Sequence, residues 1–206
     1  MIRRFGKDTA LLLVDCQKGV DDLAHWGGPR GRRNNPEAES RLLLILKAWR
    51  THGLPVIYTQ HDSREAASPL SLKKPGGALK HGFEPAVGEL VIRKDVNSAF
   101  IGTPLELELR RRGITRLAIG GFFTNMCIST TVRMSNNLGF DTYLAHDACA
   151  AANRVDVDGK DIDPEVVHDV TVATLNREFC SALRHTDFIS LLDGDRPDLE
   201  RVQGNE

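Results

Sequence analysis

The sequence predicts an α/β fold with a doubly wound, mainly parallel sheet, on three observations. Short apolar runs recur at 9–14, 54–59, 89–93 and 116–119. Segments with helical spacing separate them, and strands alternating with helices favour a parallel sheet joined by right-handed crossovers. The stretch 116–131 passes from an apolar run through Gly120-Gly121 into a small polar cluster and then a helical pattern, which is the grammar of strand, tight turn and helix.

Taken in order, Thr9-Ala10-Leu11-Leu12-Leu13-Val14 is a continuous apolar run ending at Asp15, as suits a strand buried on both faces. The loop 19–36 is rich in Gly, Arg and Asn. Residues 37–52 read as an amphipathic helix with Leu42, Leu43, Ile45, Leu46 and Trp49 on or near one face, stopped by Gly53. The second strand is 54–59. The excursion 61–88, rich in Gly and Pro, has the length of a functional or poorly ordered loop.

The third strand, 89–93, delivers Lys94. Pro104 opens a helix that runs to Gly113. Strand four is 116–119 and its helix 125–138; strand five is 140–145, ending near Asp147. A long helix is expected over 164–183 with Asp163 as N-cap, a sixth strand over 186–192, and a polar tail from Asp193 that is frayed or engaged between subunits. The chain reads as one domain over 1–206, since its length suits one core better than two.

A net charge of −1 gives no support to nucleic-acid binding or attachment to a membrane surface. No apolar run reaches the length of a membrane span, and the basic N-terminus lacks a signal peptide's apolar core. A cytoplasmic protein is expected. Cys16, Cys127, Cys149 and Cys180 form no CxxC pair, which argues against a disulfide framework or a structural zinc site.

Sites in open α/β sheets form at the carboxyl ends of strands. There the sequence places Asp15, Lys94 and the turn 122–127. Alone, Asp15 is a loop cap, Lys94 a solvated charge and Cys127 a small packing residue. Together they make a workable acyl-transfer site. Cys127 would be the nucleophile, lying in a first helical turn that favours a thiolate. Asp15 would take its proton, and Lys94 would hold both in their charged forms. The tight turn would aim backbone N–H groups at an oxyanion.

These residues carry a resemblance. The segment Leu12-Leu13-Val14-Asp15-Cys16-Gln17, Lys94 with Ser98-Ala99-Phe100, and Gly120-Gly121-Phe122-Phe123-Thr124-Asn125-Met126-Cys127 resemble the isochorismatase-like cysteine hydrolases. The likeness continues through Gly139-Phe140 and Asp147-Ala148-Cys149-Ala150, nearly the whole chain. It implies a three-layer α/β/α fold with a six-stranded sheet and a triad of Asp15, Lys94 and Cys127. It also implies a cis peptide at Phe122–Phe123, and an oxyanion hole from the N–H groups of Phe123 and Cys127. Isochorismatases proper lack the nucleophilic cysteine, so its presence points to the family's C–N hydrolases, acting on small amides, ureido or carbamoyl compounds. A dimer or larger homo-oligomer is implied.

Two positions depart from the family pattern. Asp15-Cys16-Gln17-Lys18 stands where Asp-Met-Gln-Asn is usual. His61-Asp62-Ser63 stands where metal-binding nicotinamidases have Asp-x-His, so the second ligand is missing. His61, Asp62 and His81 are read as polar loop residues, and neither a metal nor another cofactor is expected.

For the substrate pocket the candidates are Gln17, Trp26, Phe100 and Phe123, with Phe100 fitting the core equally well. Thr124 is expected to fix the turn through its hydroxyl, and His146 and His168 to make structural hydrogen bonds. Arg30, Arg32 and Arg33 read as a solvated run. The readings from other classes are a catalytically silent binding or assembly protein keeping the fold and, with no resolving cysteine nearby, a thiol redox role for Cys127.

Overall fold

The computed structural model describes residues 4–194. In chain order, β1 (Thr9–Val14) leads through the single turn α1 (Leu23–Trp26) to α2 (Ala38–Thr51), followed by β2 (Val56–His61), β3 (Leu90–Lys94), α3 (Leu105–Arg111) and β4 (Arg116–Phe122). Next come α4 (Ser129–Asn137), β5 (Asp141–Ala150), the two-residue strands β6 (Arg154–Val155) and β7 (Asp161–Ile162), α5 (Pro164–Leu175), β8 (Ser181–Leu183) and α6 (His185–Asp193).

Six of the strands form one sheet in the order β3-β2-β1-β4-β5-β8, every neighbouring pair parallel. β6 and β7 pair antiparallel as a separate ribbon. The doubly wound α/β class read from the sequence is what the structure has. β1 explains why: all six of its residues are buried. Leu11 and Leu13 face one apolar layer with Leu42, Ile45 and Trp49 of α2 and with Phe188 and Leu191 of α6. Ala10, Leu12 and Val14 face the other, with Leu105 of α3, Val132 of α4 and Leu175 of α5. A strand sandwiched this way needs apolar side chains at every position.

The C-terminal third differs from the sequence reading. The expected helix over 164–183 ends at Leu175. Asn176 turns extended and Arg177 takes a positive φ of 73°, which releases the chain into β8. The sixth strand is therefore β8, and 186–192, expected as a strand, is helical. There Phe188, Leu191 and Leu192 are buried on one side at helical spacing, and Asp187 closes a capping box with Arg184. Of the tail expected from Asp193, that residue ends α6, and 195–206 lie outside the described residues.

The centre of the sheet depends on Gly121. It sits at φ 134°, and a Cβ there would stand 2.0 Å from the Val14 carbonyl oxygen. Backbone approaching backbone this closely has no side chain to move aside. Gly121→Ala is accordingly expected to destabilise the fold by about 3 kcal/mol or more, measured by urea unfolding. An unchanged midpoint would show that β1 and β4 separate freely.

Candidate active site

The sheet order puts β1 and β4 side by side while their connections leave in opposite directions, which opens a crevice at the carboxyl ends of the strands. Asp15 follows β1 there with φ 52°, an unusual conformation for a non-glycine residue. Thr59 of β2 holds it: the Thr59 hydroxyl donates to Asp15 Oδ1 at 2.6 Å and accepts the Asp15 backbone N–H at 3.1 Å. Lys94 ends β3. After β4 the peptide between Phe122 and Phe123 is cis, and Thr124–Ile128 form one π-helical turn carrying Cys127. Within it the Phe123 carbonyl accepts the N–H groups of Met126 and Ile128 and skips the Cys127 N–H between them.

Asp15, Lys94 and Cys127, separated by 79 and 33 positions, come within touching range around the Lys94 ammonium. Nζ lies 2.7 Å from Asp15 Oδ2 and 3.3 Å from Cys127 Sγ. It also donates to the Val96 carbonyl at 3.2 Å and to His61 Nδ1 at 3.0 Å. The Asp15 contact, the shortest of the four, is a buried ion pair. All four side chains are buried. Burial opposes the Lys94 charge, yet Asp15 and the Cys127 sulfur outweigh it and hold its pKa above the usual lysine value.

The sulfur differs from the expectation. Cys127 precedes α4 and sits in the π turn, so no regular first helical turn faces it. Burial pushes its thiol well above the ordinary cysteine value, the Asp15 carboxylate adds to this, and Lys94 offsets only part. Burial and the nearby carboxylate thus favour the thiol form. Cys149 and Cys180 are also buried, each pushed up to about 12 by burial.

His61 is the residue that the sequence reading set aside. It is the last residue of β2, in register with Lys94 on β3, and not a polar loop residue. The sequence signal was available: continuing the second strand two residues past Thr59 carries His61 alongside Lys94. Its backbone is fixed by Gln17, whose amide accepts the His61 N–H at 2.8 Å and donates to the His61 carbonyl at 3.0 Å. The donor atoms of Asp15, His61 and Cys127 lie within 4.8 Å of one another, a grouping able to hold a metal ion. In this arrangement they surround the Lys94 ammonium, which already stands as the cation among them. Asp62 instead caps the Leu72 N–H, and His81 is fully exposed beside Glu84.

The four pocket candidates divide. Phe123 is buried against Trp26, ring centroids 5.5 Å apart, and the Trp26 indole donates to the Gly19 carbonyl. Phe100 stacks on Phe140 in the core at 5.9 Å. Gln17 is fully buried with its amide engaged by the backbone of His61, Leu70 and Gly77, so it is occupied in holding the 61–88 excursion to β2. Arg30 and Arg32 are exposed, as a solvated run would be, and pair at the surface with Asp161, Asp163 and Glu165, whereas Arg33 is largely covered against Glu39. A cleft of about 480 Å³ beside the end of β3 is lined by Lys94, Arg93, Asp95, Arg64, Lys73 and Asp62, among others; it reaches Lys94 and neither Asp15 nor Cys127. Thr124 shares a 2.9 Å hydrogen bond with His168 Nδ1 of α5, which braces the π turn from behind.

Comparison with known proteins agrees with this fold. The isochorismatase domain matches residues 9–161. The isochorismatase family protein YrdC of Bacillus subtilis is 44% identical over 181 residues, covering 88% of this chain and 94% of YrdC. An isochorismatase-family crystal structure from Chromobacterium violaceum superposes with a TM-score of 0.85 at 41% identity, over 92% of this chain and 96% of that one. The ureidoacrylate amidohydrolase RutB of Agrobacterium fabrum is 25% identical over 226 residues, covering 92% of each.

Two measurements check the electrostatics. Alkylation of Cys127 by iodoacetamide, followed by peptide mapping, is expected to be slow at neutral pH and to keep rising as the solution is made alkaline. A fast plateau at neutral pH would mean the resting sulfur is a thiolate. Burial, with His146 adding to it, lowers the His168 pKa to about 4 from 6.5, so His168 stays neutral in the fold where the unfolded chain protonates. Stability linked to it is complete above pH 6.5 and is lost as pH falls toward 4, a loss on the order of 3 kcal/mol. His168→Gln should lose less across that window in urea titrations; an equal loss would assign the acid sensitivity elsewhere.

Proposed function

The chain belongs to the isochorismatase family of hydrolases, and from that premise we propose that it hydrolyses a C–N bond of a small amide, ureido or carbamoyl compound through an acyl-enzyme on Cys127. The observation that carries the reading is the buried ammonium with Asp15 Oδ2 at 2.7 Å and Cys127 Sγ at 3.3 Å. A cysteine nucleophile with an adjacent carboxylate base is the minimum for acyl transfer. The relative named ureidoacrylate amidohydrolase, matched over nearly its full length, supports a C–N substrate.

The steps follow from the protonation states. Asp15 takes the Sγ proton as the sulfur attacks the carbonyl carbon, and the carbonyl electron pair moves onto oxygen. The N–H groups of Phe123 and Cys127 are the donors for that oxyanion; a donor of this kind contributes on the order of 3 kcal/mol to the barrier. On collapse the C–N bond breaks, and the departing nitrogen receives the proton from Asp15. Water then attacks the thioester while Asp15 takes one of its protons, which returns to sulfur as the acid leaves. Lys94 keeps its proton throughout. It offsets the charge that passes between carboxylate and sulfur, in a site where burial makes that charge costly.

The substrate face falls to Trp26 and Phe123, whose rings meet beside the π turn. The small exposure of Cys127, 6%, suits a compact acyl group reaching the sulfur from one direction. No helix among the described residues is long and apolar enough to cross a membrane. A cytoplasmic location and a homo-oligomer of two or more copies are part of the proposal, carried over from the family resemblance and the sequence reading.

The test is ammonia release from a panel of small amides, ureas and carbamoyl amino acids. Cys127→Ala should abolish turnover of any compound found while leaving the thermal transition in place. Asp15→Asn should lower kcat by a factor of roughly 10² to 10⁴. Full activity in Cys127→Ala would end the proposal. Ligand-dependent stabilisation with no turnover of any compound would instead make the chain a silent binding protein.

A further inference from the structure

The Lys94 ammonium has three protons and four acceptors around it. Its directed hydrogen bonds go to His61 Nδ1 at 3.0 Å, Val96 O at 3.2 Å and Cys127 Sγ at 3.3 Å. Asp15 Oδ2, the nearest atom at 2.7 Å, is the fourth acceptor, so three protons are shared among four groups. Asp15 Oδ1 is satisfied by the Thr59 hydroxyl. Asp15 Oδ2 is thus the carboxylate oxygen left to act as base, and an Asp15 carboxylate oxygen lies within 4.8 Å of the sulfur.

We infer that His61 is a positioning residue of this site: by accepting a Lys94 proton at Nδ1, it keeps the ammonium from turning that proton onto Asp15 Oδ2 and so preserves Asp15 as the base for Cys127. The inference rests on the acyl-transfer reading for its role in turnover, but the hydrogen-bond assignment stands on the geometry alone.

Three further observations support it. The backbone that carries the ring is fixed, because Gln17 holds the His61 N–H and carbonyl at once, and Gln17 is itself tied to Leu70 and Gly77. Strand pairing sets His61 directly beside Lys94, so the contact is built into the sheet. His61 is also kept neutral, as an acceptor must be: burial lowers its pKa, the facing Lys94 charge lowers it further, and Asp15, Asp95 and Asp62 oppose this only in part. The groups facing the ring are thus Asp15 beyond β1, Lys94 at the end of β3 with Asp95 after it, Cys127 from the π turn at 3.8 Å, and Asp62 on its own segment. With Nδ1 accepting, the ring proton belongs on Nε2.

A carboxylate that gains a directed donor becomes a weaker base. If Nδ1 were removed, the freed Lys94 proton would turn to Asp15 Oδ2. The rate would fall, and the acidic limb of the kcat/KM profile would move to lower pH. Asn and Gln separate this from a merely structural role, since an Asn carbonyl reaches the place of Nδ1 and a Gln carbonyl that of Nε2.

His61→Asn is expected to keep the position of the acidic limb and to hold kcat/KM within roughly threefold of the parent. His61→Gln should lose roughly tenfold or more and shift the limb downward. Equal profiles for the two variants, or a Gln variant with the parent's limb, would overturn the inference. A substrate-free measurement keeps its fate separate from that of the hydrolase reading. Nitrogen-15 NMR of the imidazole in the intact protein should show unprotonated Nδ1 and protonated Nε2 at neutral pH and above. A proton on Nδ1 in that range would overturn it whatever the protein hydrolyses.

Discussion

The Lys94 ammonium sits out of water, with a side chain that is 0% exposed, and the ends of four strands converge on it. A buried cation is tolerated only where acceptors replace the solvent it has lost. Here they come from Asp15 beyond β1, His61 at the end of β2, Val96 beyond β3 and Cys127 in the turn after β4. No one segment of chain could supply that set. The sheet order β3-β2-β1-β4 brings these four ends into one row, so the charge and the topology require each other. Leaving one member of such a buried pair unmatched costs about 3–5 kcal/mol, a large share of a domain's stability.

That constraint also explains why the surroundings are rigid. Gly121 lets β4 run close against β1, and a cis peptide with a π turn swings Cys127 back over the sheet end. Thr59 fixes the carboxylate, Thr131 takes the Ala99 N–H to hold the segment after β3 against α4, and His168 braces Thr124. Each bond fixes the support of a reacting group, where a small displacement would matter more than anywhere else in the fold.

Much of this was legible in the sequence because burial on both faces leaves a plain signature. Unbroken apolar runs marked the central strands, and Asp15, Lys94 and Cys127 stood at their ends. What escaped lay at the edge and in the loops. β8 is three residues long and pairs on one side only, so its mixed burial carries little pattern, and the apolar spacing of α5 seemed to continue through it. The stretch 186–192 is too short for periodicity to separate strand from helix; the Arg184–Asp187 cap decides it. His61 was missed because Gln60 and His61 do not look like strand residues, although pairing with β3 draws them in. Gln17 was assigned to substrate because it follows Asp15 by two positions; its contacts across 44 to 60 positions of sequence have no local signal.

The burial that favours a protonated Cys127 has a chemical consequence of its own. Peroxide and other electrophilic oxidants attack thiolates, and they attack those they can reach. A sulfur that is 6% exposed, with a thiol that burial pushes well above the ordinary cysteine value, is a poor target for the sulfenic–sulfinic sequence that destroys activated cysteines. Burying the carboxylate and the sulfur together thus works against that oxidation.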